Sequence, residues 1–136
     1  MSERDQRQRL VGALRELDAI SVENSAYAGT PDINYIGGWI ECKWLRSWPK
    51  RRETIVKVSR FHQGQRVWAK RRIKKGGVVW FVLQVGKEWL LIDGAVAAEH
   101  IGKVTAYEIR MMAHRYWPNG LDDKEFLDAV RAYEKR

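Results

Sequence analysis

The chain has 136 residues, enough for one domain around a single core and too few for a second. Apolar residues make up 45% of it, with seven Trp, five Tyr and three Phe, a composition that excludes a disordered chain. Its 25 Lys and Arg against 17 Asp and Glu leave a formal charge of +8, which favours an anionic partner, nucleic acid or a membrane surface, without choosing between them.

The segment Met1 to Arg9 is polar and charged and leads into no apolar secretory core, so export is not expected. Leu10, Val11, Leu14 and Leu17 then recur at helical spacing and predict an amphipathic helix over about 4–18, lying on a sheet. After a polar stretch through Asn24 and Ser25, residues 30–36 and 39–44 read as two short strands joined by a Gly37-Gly38 turn. The basic segment 45–54, with Pro49, reads as an exposed loop. Ser59 is the expected cap of a helix running to about Lys74, stopped by Gly76-Gly77. The run 78–85 is apolar apart from Gln84 and is far short of the roughly 20 residues that span a bilayer, so no membrane span is expected; it reads as a buried strand. Residues 88–92 form its hairpin partner across Gly86-Lys87. Helical pieces follow at about 95–100, 107–114 and 122–135. This order describes an α/β or α+β domain, a mixed central sheet flanked by helices.

One cysteine, Cys42, excludes an internal disulfide, and no Cys/His group has the spacing of a zinc site, which fits a reducing cytoplasm. None of His62, His100 and His114 is assigned a role.

The chemistry concentrates in the first hairpin. With Gly37 and Gly38 as the turn, Ile36 faces Trp39, Asn34 faces Glu41 and Asp32 faces Lys43, and the period of two puts Asp32, Asn34, Glu41 and Lys43 on one face. Asp32 and Glu41 are then diagonal neighbours, roughly 7 to 8 Å apart at the backbone, within reach of one cation. Two carboxylates suit Mg²⁺, a hard ion that keeps positions open for water and a phosphate, and a nearby ammonium can stabilise a phosphoryl transition state. Spacing alone is better explained by an Asp32–Lys43 cross-strand pair on a solvated face, worth about 0.2 to 1 kcal/mol.

The wider motif adds to this. Pro31-Asp32, eight residues, then Glu41-Cys42-Lys43 resembles the P-D…E-x-K signature of PD-(D/E)XK nucleases. Gly29 to Ile33 before Trp39 to Lys43 is similar to small phage-type members near the VRR-NUC and Holliday-junction-resolvase group. The likeness continues through Trp48-Pro49, residues 65–68 and Gly76-Gly77, so it spans about 22–94; the helical part 95–136 carries no motif of that family. The resemblance implies a restriction-endonuclease-like αβββαβ core in a single nuclease domain, and Mg²⁺ (with Mn²⁺ as substitute) held by Asp32, Glu41 and the main-chain carbonyl of Cys42. It sets Lys43 beside the attacked phosphate of DNA. Hydrolysis leaving a 5′-phosphate and a 3′-hydroxyl is the implied activity, with branched DNA or a Holliday junction as a candidate substrate. A homodimer, as small members often form, and a bacterial or phage-infected cytoplasm are the implied setting. The alternatives are a non-catalytic nucleic-acid-binding module that keeps the fold, and an RNA-cleaving nuclease.

Members of this group often add one more acid, for which Glu16, Asp18 and Glu23 compete; Glu23, in Val22-Glu23-Asn24-Ser25, is preferred. Gln65 sits between Phe61 and Trp68 on an apolar helical face, where an unpartnered amide would cost about 1 to 3 kcal/mol. It is expected to bond either the site or a DNA phosphate, or else a neighbouring backbone group. Lys50, Arg51, Arg52, Arg60, Arg66, Lys70 and Arg71, with Arg72, Lys74 and Lys75, are candidate phosphate contacts. Trp44 and Trp48 are candidates to stack on an unpaired base, against the commoner alternative of packing on their own domain.

Overall fold

The computed structural model describes residues 2–22 and 29–134, with side chains to residue 132. Helix α1 (Glu3–Ala13) is capped by Ser2, whose hydroxyl accepts from the Asp5 amide while the Asp5 carboxylate accepts from the Ser2 amide. The expected helix ends early, because Leu14 leads into a 3-10 turn (Arg15–Leu17) that closes at Asp18 in the left-handed region. Three strands follow, β1 (Ile20–Ser21), β2 (Ile33–Tyr35) and β3 (Gly38–Leu45). Helix α2 (Gln63–Lys74) then crosses to β4 (Val79–Val85), which runs parallel to β3 from Trp39↔Val79 to Leu45↔Val85. A tight turn leads to β5 (Glu88–Asp93), then α3 (Gly94–His100), α4 (Ala106–Met112), β6 (Arg115–Trp117) and α5 (Asp123–Glu134).

Among the described residues the result is a six-stranded mixed sheet in the order β1-β2-β3-β4-β5-β6, flanked by five helices. Its opening elements, α1-β1-β2-β3-α2-β4, run in the expected αβββαβ order. Every residue of β4 is buried, as a central strand covered on both faces requires, and this explains its apolar run. Alternate β4 residues feed two cores. Trp80 and Val82 face α1 and α5, meeting Leu10, Leu14, Phe126 and Val130. Phe81 and Leu83 face the other layer, meeting Phe61, Ala97, Ile101 and Ile109. Among the described residues no helix is long and apolar enough to cross a membrane.

Two expectations fail in register and capping. The β2–β3 turn is Ile36-Gly37, not Gly37-Gly38: Tyr35 pairs with Gly38, Asn34 with Trp39 and Ile33 with Ile40. Gly37 supplies the positive φ of 109°, and Gly38 is drawn into the strand, where a Cβ would meet the Val78 carbonyl and the Tyr35 ring. The slip is two residues, an even number, so the set of side chains on each face is unchanged. Helix α2 starts at Gln63 with His62 at its cap rather than from Ser59, since Arg60 has a left-handed φ of 63° that no helix turn accepts. Strands β1 and β6 went unforeseen, being two and three residues long with no alternating pattern of burial to betray them.

Candidate active site

Continuing the β2–β3 register one residue past Ile33↔Ile40 sets Asp32 directly opposite Glu41, closer than the diagonal relation expected from sequence. Asp32 lies just before β2, where its carboxylate takes the place of a ladder partner: Oδ2 accepts from the Cys42 amide at 2.8 Å. A strand residue's N–H and C=O point the same way, so the Cys42 carbonyl faces the same edge as the Asp32 carboxylate. Asn34, opposite Trp39 instead of Glu41, turns its amide back to the Gly38 carbonyl at 3.1 Å and stays out of the site.

Glu41 and Lys43 lie on one face of β3, 5% and 4% exposed, with Lys43 Nζ 3.3 Å from Glu41 Oε2. The solvated Asp32–Lys43 pair is therefore replaced by a buried arrangement in which Lys43 contacts Glu41 along its own strand. Burial is the larger influence on Glu41 and the Asp32 charge the next; together they outweigh Lys43 and push its pKa up to about 9. Burial and the neighbouring Asp32 thus favour the protonated form of Glu41. Lys43 Nζ donates to the Arg60 carbonyl at 2.8 Å, and it is the left-handed turn at Arg60 that aims this oxygen.

From α2, Gln65 Nε2 donates to Glu41 Oε2 at 3.2 Å, and Gln65 Oε1 accepts from the His62 amide at 2.6 Å. The two alternatives left open for Gln65, a site partner and a backbone partner, are both realised by its two amide ends. The Asp32 loop reaches α2 through Gly29: its φ is 88°, and a Cβ there would collide with the Gly64 carbonyl, so glycine permits the approach.

A residue that sequence reasoning passed over is Gln6, fully buried on α1, whose Nε2 donates to the Lys43 carbonyl at 2.8 Å and lies 3.4 Å from that of Val82. It fastens α1 to the strand pair at the level of the site. Its signal was present: Gln6, Leu10 and Leu14 fall on one helical stripe, so Gln6 is a polar residue at a core position, as Gln65 is on α2.

Of the other candidates, Glu16 accepts from Arg131 at the surface, an ordinary structural contact, and Asp18 ends the 3-10 turn. Glu23 lies outside the described residues. Lys50, Arg51, Arg52, Arg60 and Arg71 are exposed. Arg66 donates to the Ala98 carbonyl and covers the Phe61 ring, Lys70 pairs with Glu99 at 2.6 Å, and Arg72 lies over Trp68. Trp48 packs on its own domain, donating to Glu88 at 2.7 Å under the Arg110 guanidinium. Burial pushes the Cys42 thiol well above its ordinary pKa, which makes it inert as a nucleophile.

Among the described residues no three His, Cys, Asp or Glu side chains gather as a metal cluster. The donor set is instead a carboxylate pair with an adjacent carbonyl, which fits Mg²⁺ or Mn²⁺ bound through one or two carboxylates with water and phosphate completing the shell, and does not fit a closed zinc site. No protein-family model matches the chain, and no curated protein matches it either.

Proposed function

We propose that the protein is a metal-dependent endonuclease that hydrolyses DNA phosphodiesters. The observation carrying this reading is the placement of Asp32 opposite Glu41, with buried Lys43 two residues along the same face and Gln65 reaching Glu41 from α2. A buried charge constellation of this kind is costly, and packing the same volume with apolar side chains is often neutral or stabilising. Groups retained at such cost, with a strongly shifted acid among them, are the mark of a site built for chemistry. The likeness of Pro31-Asp32…Glu41-Cys42-Lys43 to the PD-(D/E)XK signature supports the same reading and supplies the choice of DNA.

Asp32, Glu41 and the Cys42 carbonyl would hold the cation. When bound, Mg²⁺ supplies charge neutralisation at the phosphate and acidifies an attacking water. Lys43 is held by the Arg60 carbonyl so that its ammonium does not wander, and it contributes positive charge beside the phosphate and a donor for the water or a phosphoryl oxygen. Gln65 fixes one oxygen of Glu41 and is itself fixed by the His62 amide, so the carboxylate is oriented before substrate arrives.

The test is incubation with Mg²⁺ or Mn²⁺ and labelled duplex, single-stranded, flap and four-way-junction DNA, with an RNA of equal sequence, beside Asp32→Ala and Lys43→Ala. Cutting of DNA by the wild type and by neither variant is expected. Cutting that both variants retain, preference for the RNA, or binding without cutting on every DNA would sink the proposal.

A further inference from the structure

We infer that the groove between the 48–53 loop and α4 is a docking channel for a single-stranded segment of nucleic acid, in which Lys50, Arg51 and Arg52 meet phosphates and Tyr107 stacks on a base. The inference rests on the nuclease reading and deepens it, because it names the form of DNA, an arm with unpaired nucleotides, that the same site would receive.

Position comes first. Glu41, Lys43 and Leu45 share one face of β3, and Leu45 and Trp48 pack on the Phe61, Phe81 and Leu83 cluster of that layer. The groove therefore continues the active-site face past the C-terminal end of β3. Its walls are set. Trp48 is tied to Glu88, Arg110 is clamped between the Trp48 ring and Glu88, and the Tyr116 hydroxyl donates to the same carboxylate. The far end of the loop closes on the approach to α4, where Ile55 bridges Thr105 and the Val56 amide donates to the Val104 carbonyl at 2.9 Å. A loop fixed at both ends presents its tip without a large ordering cost on binding.

Chemistry selects the occupant. The loop tip carries three consecutive exposed cations against one acid on the rim, Glu53. Across about 550 Å³ of groove, the size of ordinary ligand clefts, stands Tyr107, 67% exposed, one turn before Arg110 on α4. An exposed aromatic opposite a row of cations is the arrangement that binds unpaired nucleotides, since every base offers a π-face and every linkage a phosphate. Inside a duplex both faces of a base are covered by its stacked neighbours, and an acidic peptide has no base to stack.

The experiment is fluorescence anisotropy in EDTA, where hydrolysis cannot interfere, with a labelled single strand of about 20 nucleotides and a blunt duplex of the same length. The variants are Tyr107→Ala, Tyr107→Phe and the triple Lys50→Ala/Arg51→Ala/Arg52→Ala, each checked by thermal melting. Expected for Tyr107→Ala is a loss of roughly 5- to 150-fold on the single strand, the worth of one base–aromatic stack, with little change on the duplex. Tyr107→Phe should keep the affinity and the triple variant should lose it. Unchanged single-strand binding by Tyr107→Ala, equal losses on both DNAs, or displacement of the strand by polyglutamate as readily as by unlabelled strand would overturn the channel. Cleavage in Mg²⁺ is read separately: cutting with Tyr107-independent binding removes the channel and leaves the nuclease, whereas Tyr107-dependent binding with no cutting of any DNA does the reverse.

Discussion

Glu41 is where the physics of single residues becomes measurable. Its carboxyl titrates at the ordinary 4.5 when the chain unfolds and at about 9 when folded, because burial and Asp32 disfavour the anion. Between those values the unfolded state holds fewer protons than the native one, so stability falls as pH rises, by at most about 1.4 kcal/mol per pH unit. Thermal melting in EDTA should therefore show a midpoint that declines from pH 5 to pH 9 in the wild type and declines less in Glu41→Gln; equal slopes would contradict the burial argument. A cation bound at the proposed site must displace that proton, so the rise in melting temperature on adding Mn²⁺ is expected to be larger at pH 8.5 than at pH 6.5. Gln65 acts one step further out. Gln65→Ala removes the donor to Glu41 Oε2, and the loss expected is about 10- to 100-fold in cleavage, with Gln65→Glu no better since it places a third carboxyl against the pair. Cleavage at the wild-type rate by Gln65→Ala would show that the amide is only a structural prop of α2.

At the scale of elements, Arg60 separates backbone from side chain. Its left-handed φ of 63° costs a non-glycine residue about 1 to 2 kcal/mol, and what the site uses there is the carbonyl that holds Lys43. Arg60→Gly should thus raise stability by up to about 1 kcal/mol in urea denaturation and leave metal-dependent cleavage within a few-fold of wild type, while Arg60→Pro, which cannot adopt positive φ, should lose both. A large loss of cleavage in Arg60→Gly would mean that the guanidinium, not the carbonyl, is the working group. This turn also marks where the sequence stops being readable. The helix, strand and turn pattern identifies β3, α2, β4 and β5 because their apolar periods are strong, and it selects Asp32, Glu41 and Lys43 as one face. The exact pairing escapes it, since Gly37-Gly38 looks like a ready turn and what requires Gly38 inside the strand is the Tyr35 ring together with the Val78 carbonyl, forty residues away in sequence. Because the error was two residues, the face survived and the neighbour changed. Likewise the anchoring of Lys43 by a backbone oxygen leaves no trace in residue types, whereas Gln6 and Gln65, polar side chains on apolar stripes, leave a clear one.

For the whole molecule, the formal +8 overstates the charge that a polyanion can use. Lys70 is already paired with Glu99 at 2.6 Å, and Arg72 is held over Trp68, so these two cations of α2 are engaged before any phosphate arrives. Lys50, Arg51 and Arg52 are exposed beside the proposed channel. If each neutralises one phosphate of a single strand, each accounts for about 0.7 in the slope of log affinity against log salt. Removing all three should then flatten that slope by about 2, while Lys70→Ala should change it by less than any one of them, because Lys70 is already paired with Glu99 and its loss takes away no phosphate contact and so no counterion release. Titrations of the Asp32→Ala protein with single-stranded DNA at several salt concentrations measure both. Equal slopes for Lys70→Ala and Lys50→Ala would mean that net charge alone steers the nucleic acid and that the groove beside α4 has no special share in it; a flattening confined to the loop variants would locate the contact on one face, continuous with Glu41 and Lys43, and set the path along which a strand approaches them.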